Sequence, residues 1–230
     1  MLEFTGVSVG YGRTAVVHDI DLVVPAGGAV GVMGHNGAGK TTLLRAAVGL
    51  LPVKAGRILI AGEDVTKMRP NQRIKRGLGY VPQGQQCFPQ LTTMENLRLV
   101  ADGRARGREL VSEALDTFPA LTELLSRKAG LLSGGQRQQL AIARTLVTEP
   151  RMLILDEPTE GIQPNVVQEI ESVITGLTQR GDLSVLLVEQ HVGFALRATN
   201  YYYVLESGRI TSQGDGGPDA TEAVRAAMAV

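Results

Sequence analysis

The 230-residue sequence contains a single cysteine, Cys87. No disulfide can close within the chain, which fits a reducing compartment. Cys87 is expected to be a core or boundary residue without chemistry. An excess of charge is also missing. Lys and Arg together number 23, as do Asp and Glu, so the net charge is about zero. That withholds the electrostatic footprint of a DNA- or RNA-binding protein, although a local basic patch is compatible with it. The opening residues MLEFTGVSVGYG have neither a basic segment nor an apolar one, so no signal peptide is expected. No stretch approaches the roughly 18 apolar residues that span a bilayer. The chain is therefore expected to be soluble by itself and to meet a membrane only by docking on something in it. There is no internal repeat and no low-complexity tract.

What is present reads as one compact domain with room for a subdomain. Hydrophobic residues make up 43%, enough for a sizeable core. The spacing of Leu2, Phe4, Val7 and Val9 predicts a strand, as do AVVHDIDLVV (15–24) and GAVGVMG (28–34). A helix follows from about Lys40 to Val48. LPVKAGRILIAGEDV (51–65) reads as a strand pair turning near Gly62. Pro70 opens a short basic helix, and LGYVPQ (78–83) is a strand running into a loop. From about 85 to 150 strand signal fades. TTMENLRLV, ELVSEALDTF, LTELLSR and GGQRQQLAIARTLV all carry helical patterns, which suggests a helical insertion. MLILD (152–156) and LSVLLVEQ (183–190) are short continuous apolar runs of the kind buried on both faces of a parallel sheet. The amphipathic segment 166–180 between them completes a βαβ unit. YYYVLESGRI supplies two further strands, and the tail ends in a short Ala-rich helix.

GHNGAGKTT (34–42) fits G-x-x-x-x-G-K-[ST] in the strand–helix context that this pattern requires. Gly37 and Gly39 let successive N–H groups face one concavity, and the following helix adds its positive end. Lys40 is placed to reach β- and γ-phosphates, and the Thr41 hydroxyl to ligate Mg²⁺. The bland alternative is a glycine-rich turn with a surface lysine. MLILDE puts Asp156 at a strand end facing a ligand crevice, suited to Mg²⁺ through water. Glu157 points the other way and suits orienting or deprotonating an attacking water. A solvated acidic turn is the alternative there.

LLSGGQRQQLAIARTL (131–146) carries most information. Ser133 reads as an N-cap before a helix with Leu140, Ile142, Ala143 and Leu146 on its apolar side. LSGGQ upstream of MLILDE is similar to the signature of ATP-binding cassette ATPases, and the resemblance spans nearly the whole chain. It implies an α/β fold: a RecA-like P-loop NTPase core with an antiparallel β subdomain (1–84 and 151–230) and an inserted α-helical subdomain (85–150), one cassette over 1–230. It implies an ATPase binding ATP and Mg²⁺ through Asn36, Gly37, Ala38, Gly39, Lys40, Thr41 and Thr42. Tyr11 would stack on adenine and Gln83 contact Mg²⁺ together with Thr41 and Asp156. Ser133, Gly134, Gly135 and Gln136 would close on ATP held by a second subunit. Glu157, His191 and Lys40 would be catalytic, with His191 at the γ-phosphate. Taken alone, Tyr11 is a packing or turn residue, His191 a boundary residue after a buried strand, and Gln83 uninformative.

The resemblance also implies a transporter subunit at the cytoplasmic face of the inner membrane, peripheral through its partners. Those are a similar second ATPase, two membrane permeases and an extracytoplasmic solute-binding protein, with no nucleic acid. FPQLTTMENL (88–97) would help receive the permease. A nucleic-acid or ribosome-acting member is disfavoured by the single cassette and the absence of a basic excess. After DEPT many such ATPases read S-G-L-D-P. This chain reads Glu160-Gly161-Ile162-Gln163-Pro164, so an uncharged Gln163 replaces the acid that speaks to the other subunit. That turn resembles the branch serving hydrophobic amino acid and amide importers. Within it, the turn is most like the second ATPase of a urea importer and next like that of a branched-chain amino acid importer, where an L-A-P ending is expected.

Overall fold

The computed structural model describes residues 1–179, 181 and 183–228. Arg180, the last residue of the helix expected over 166–180, lies outside them, as do the final two residues of the tail.

Two sheets organise the chain. In the first, β1 (Leu2–Val9) lies between β2 (Val17–Val24) and β4 (Val53–Ile60), with the short β5 (Glu63–Asp64) at the edge. All its pairings are antiparallel. Its alternation of buried and open positions is that of a sheet with one covered face. The second sheet runs β10-β9-β3-β8-β7-β6. Its strands are β3 (Ala29–Met33), β6 (Leu78–Val81), β7 (Met152–Asp156), β8 (Ser184–Glu189), β9 (Tyr201–Glu206) and β10 (Arg209–Asp215). Only β10 pairs antiparallel.

Every residue of β3, β7 and β8 is buried, because both faces of this sheet are covered. Successive residues of β7 serve different cores. Met152 and Ile154 pack with the first sheet and α1 (Lys40–Val48), whereas Leu153 and Leu155 pack with the helices on the other side. This is why the sequence shows a continuous apolar run rather than alternation. Here α6 (Pro164–Gln179) crosses from β7 to β8, and α7 (Val192–Ala198) from β8 to β9.

Between β6 and β7, α2 (Pro70–Ile74) having preceded β6, come α3 (Thr93–Ala101), α4 (Gly107–Thr117) and α5 (Gly134–Leu146). Among the described residues of 85–150 there is no strand, only an isolated bridge between Thr92 and Lys128. The helical pattern of LTELLSR yields a 3₁₀ segment, Pro119–Leu124, instead of an α-helix. Only Leu121 of that segment is buried, so no apolar stripe sustains a longer helix. The α7 helix was not legible in the sequence. Cys87 is half-buried and packs against the core. At the chain's end α8 (Thr221–Met228) turns back so that the Met228 carbonyl accepts from His35 Nε2 at 2.5 Å.

The register places the site. Met33 is level with Glu189, and Asp156 with Val188, across β3, β8 and β7. Val81 of β6 is level with Leu155. The carboxyl ends of four neighbouring parallel strands therefore meet at one edge, where ligands bind in open α/β sheets.

Candidate nucleotide site

The loop leaving β3 reaches α1 through Gly39, whose φ of 107° lies in the left-handed region. A Cβ there would also come within 3.0 Å of Val17. Gly34 is constrained differently: a Cβ would stand 2.3 Å from the Leu205 carbonyl oxygen. No side chain caps the start of α1, so its first N–H groups are left for an anion. Lys40 is buried, and its Nζ donates to the carbonyls of Gly34 (2.6 Å) and His35 (3.1 Å). It also lies 3.1 Å from Glu157 Oε1.

Glu157 itself has φ 47°, uncommon for a residue with a side chain, while its N–H donates to the Val188 carbonyl at 2.8 Å. The turn thus keeps the sheet ladder and swings the carboxylate toward Lys40. Its other oxygen accepts from Gln83 Nε2 at 3.2 Å, and the same amide donates to Glu160 at 2.7 Å. The loop 35–42 bounds a cavity of about 300 Å³ together with Val16, Gln83 and Glu157.

Asp156 is 1% exposed. Tyr80 donates to its Oδ2 at 3.3 Å, and Oδ1 has no partner among the described residues. Burial pushes this carboxyl up to about 6, against the opposing effect of the Tyr80 hydrogen bond. Burial, with Asp156 next to it, raises the Tyr80 phenol above its usual range. An orphaned buried carboxylate oxygen calls for a cation. No cluster of three or more His, Cys, Asp or Glu side chains forms among the described residues. The groups near the loop are the carboxylates of Asp156 and Glu157, the latter held by Lys40 and Gln83, the Thr41 hydroxyl and the Gln83 amide. That sparse set fits Mg²⁺, which takes one or two carboxylates and leaves its other positions to water and phosphate.

The remaining expected residues do not line this cavity, although the Tyr11 hydroxyl is within reach of Thr42, which does. Tyr11 is half-exposed, with its hydroxyl accepting from Arg45 at 3.0 Å. Ala38, within the loop, is buried. Ser133 caps α5 by accepting from the Gln136 N–H, while Gln136 Oε1 accepts from the Ser133 N–H. Neither these two nor Gly134 and Gly135 line the cavity. A Cβ on Gly135 would fall 2.8 Å from Val166, so close packing on α6 requires glycine there. His191 is exposed, and its side chain makes no hydrogen bond to a described residue.

Three contributors escaped the sequence reading. Tyr80 and Glu160 are recognisable only once β6 is paired with β7. Glu189 left a signal, an acid closing an otherwise apolar strand. It is buried and accepts four hydrogen bonds, from Thr159 N–H (3.1 Å), Thr159 hydroxyl (2.8 Å), Gln190 N–H (3.1 Å) and His191 N–H (3.3 Å).

Comparison with known proteins gives a consistent result. The profile described as ABC transporter matches residues 17–160. A probable branched-chain amino acid transport ATP-binding protein, LivF of Archaeoglobus fulgidus, is 38% identical over 216 residues, covering 93% of this chain and 92% of that protein. The high-affinity branched-chain amino acid transport ATP-binding protein BraG of Pseudomonas aeruginosa is 36% identical, covering 94% and 93%. Both names carry branched-chain amino acids, which the sequence reading places second to urea. A nucleotide-free ATP-binding cassette from an ABC transporter superposes with a TM-score of 0.88 at 25% identity, covering 98% of this chain and 95% of that one.

Proposed function

Because this chain belongs to the ABC transporter family, whose ATP-binding cassettes are ATPases, we propose that it energises a membrane importer for branched-chain amino acids or for urea and short-chain amides. One observation carries the reading: the loop 34–42, Asp156, Glu157 and Gln83 converge at a single sheet edge. Lys40 and the uncapped α1 N–H groups hold the β- and γ-phosphates. Thr41, Gln83 and Asp156 would hold Mg²⁺, which supplies charge against the phosphate oxygens. Glu157 orients the attacking water and takes its proton, and His191 approaches the γ-phosphate on closure. Tyr11 stacks on the adenine. Catalysis then rests on positioning and on charge stabilisation of an in-line displacement.

The cavity has no contribution from Ser133, Gly134, Gly135 or Gln136, which supports a second, similar cassette supplying that segment across a shared interface. ATP binding closes the pair and hydrolysis reopens it. Residues 1–84 and 151–230 act as nucleotide-binding core, with 85–150 as a helical subdomain that receives a permease. Phe88, half-exposed with the Arg144 guanidinium 5.0 Å from its ring centre, belongs to that surface. No described helix is long and apolar enough to cross a membrane. Attachment on this reading is through permeases, at the cytoplasmic face of the inner membrane. A solute-binding protein delivers the cargo.

The names of the relatives favour branched-chain amino acids as that cargo, and the TEGIQP turn keeps urea as the second reading. Uptake of labelled leucine and labelled urea into vesicles carrying this ATPase and its genomic-neighbour subunits separates them, with Lys40→Ala as the blank. Leucine uptake alone selects the first and urea uptake alone the second. Neither signal, with ATPase activity intact, rejects both.

A further inference from the structure

We infer that Glu189 is a positioning residue, tying the turn after Glu157 to the segment that carries His191 so that the two move as one unit. The inference rests on the reading of Glu157 and His191 given above. Glu189 ends β8 and is 1% exposed. Its oxygens divide their work between two loops. Oε1 accepts from both the N–H and the hydroxyl of Thr159, two residues beyond Glu157. Oε2 accepts from the N–H groups of Gln190 and His191. The acid turn is thus pinned to the end of β8 twice, the second point being the Glu157 N–H on the Val188 carbonyl.

A buried carboxylate is a costly way to end a strand, and an apolar side chain would fill the space at less expense. Burial holds the Glu189 carboxyl above its usual range despite the bonds that favour its charged form. What the carboxylate adds is geometry: four donors on separate loops converge on one rigid group, and none is left unpaired. A carboxamide in its place offers one acceptor oxygen and turns an N–H group toward N–H donors. One of the two loops must then let go.

The test uses the full chain. Steady-state ATP hydrolysis is measured for the wild type, Glu189→Gln, His191→Ala and the double variant. Glu189→Gln is expected to lower kcat roughly tenfold, the scale of one lost charge-assisted hydrogen bond, with KM within about twofold. The double variant is expected to be no slower than His191→Ala alone, because both remove the same function. The chain has three histidines, His18, His35 and His191, so their ring resonances can be followed individually. Only that of His191 is expected to shift in Glu189→Gln. Should Glu189→Gln fold poorly, Thr159→Val removes the 2.8 Å hydroxyl bond while keeping the shape, and is expected to reproduce the non-additive loss of kcat. Wild-type kcat in these variants beside an inactive His191→Ala, or losses that multiply in the double variant, would overturn the inference. Full activity of His191→Ala would instead overturn the reading of His191, and the tie to it as well.

Discussion

Lys40 Nζ stands 3.1 Å from Glu157 Oε1, both groups almost fully buried. The two opposite charges thus neutralise one another across the mouth of the loop. On the proposed function, a γ-phosphate entering the cavity takes Lys40 over from Glu157, and that exchange releases the carboxylate for water.

Glu157→Gln removes the competing anion as well as the base. ATP affinity is expected to hold or rise, while turnover falls on the order of a hundredfold or more. Equilibrium binding of a fluorescent ATP analogue and single-turnover hydrolysis measure the two separately. Near-normal turnover would remove Glu157 from the base role.

Asp156 gives the metal-free protein a pH dependence. Its carboxyl titrates at about 6 in the folded chain against an ordinary 3.8. Desolvation, helped by the neighbouring Glu157 charge, outweighs the Tyr80 hydrogen bond and the Lys40 and Arg45 cations, which act the other way. The folded form keeps its proton to a higher pH than the unfolded chain does. Stability therefore falls as pH rises through that window, by up to roughly 3 kcal/mol. Chemical denaturation with chelator present, between about pH 4 and pH 7, should show this slope, and Asp156→Asn should flatten it while abolishing Mg²⁺-dependent hydrolysis. A stability that rises with pH in the wild type and is unchanged in Asp156→Asn would contradict the assignment.

Gln163 immediately precedes Pro164, the first residue of α6, and its carbonyl accepts from the N–H groups of Val166 and Val167. Aspartate is a better residue than glutamine at such a helix start. Gln163→Asp is expected to stabilise the chain by about 0.5–1 kcal/mol. It should also change cooperativity between paired sites more than nucleotide affinity. Thermal denaturation and the Hill slope of ATP hydrolysis in the assembled transporter are the checks, and an unchanged slope would reject the coupling role.

Gly135→Ala should force α5 away from α6, since its Cβ would meet Val166 at 2.8 Å. A loss of about 1–3 kcal/mol is expected, partly recovered by Val166→Ala. Additive losses in the double variant would place the effect elsewhere.

Much of this site is written in contiguous residues. GHNGAGKTT and MLILDE could be read without a structure because a phosphate loop and a strand-end acid are local devices, each complete within about nine residues. Length and apolar periodicity sufficed for the fully buried strands β3, β7 and β8 and for the amphipathic α6. The short α7 lacked the periodicity that identifies an element, and the helical pattern of LTELLSR is too short an apolar stripe to hold more than the 3₁₀ turn at Pro119–Leu124.

Residue chemistry in single stretches thus sufficed for the family, the loop and the pair of acids. Pairing decided the rest. Tyr80 reaches Asp156 only because β6 lies beside β7, and Glu189 reaches Thr159 only because β8 lies on the other side of β7. No sequence spacing encodes those contacts, which join residues 76 and 30 positions apart. Strand order in a parallel sheet is chosen by how the crossing helices bury their faces, a property of the whole chain.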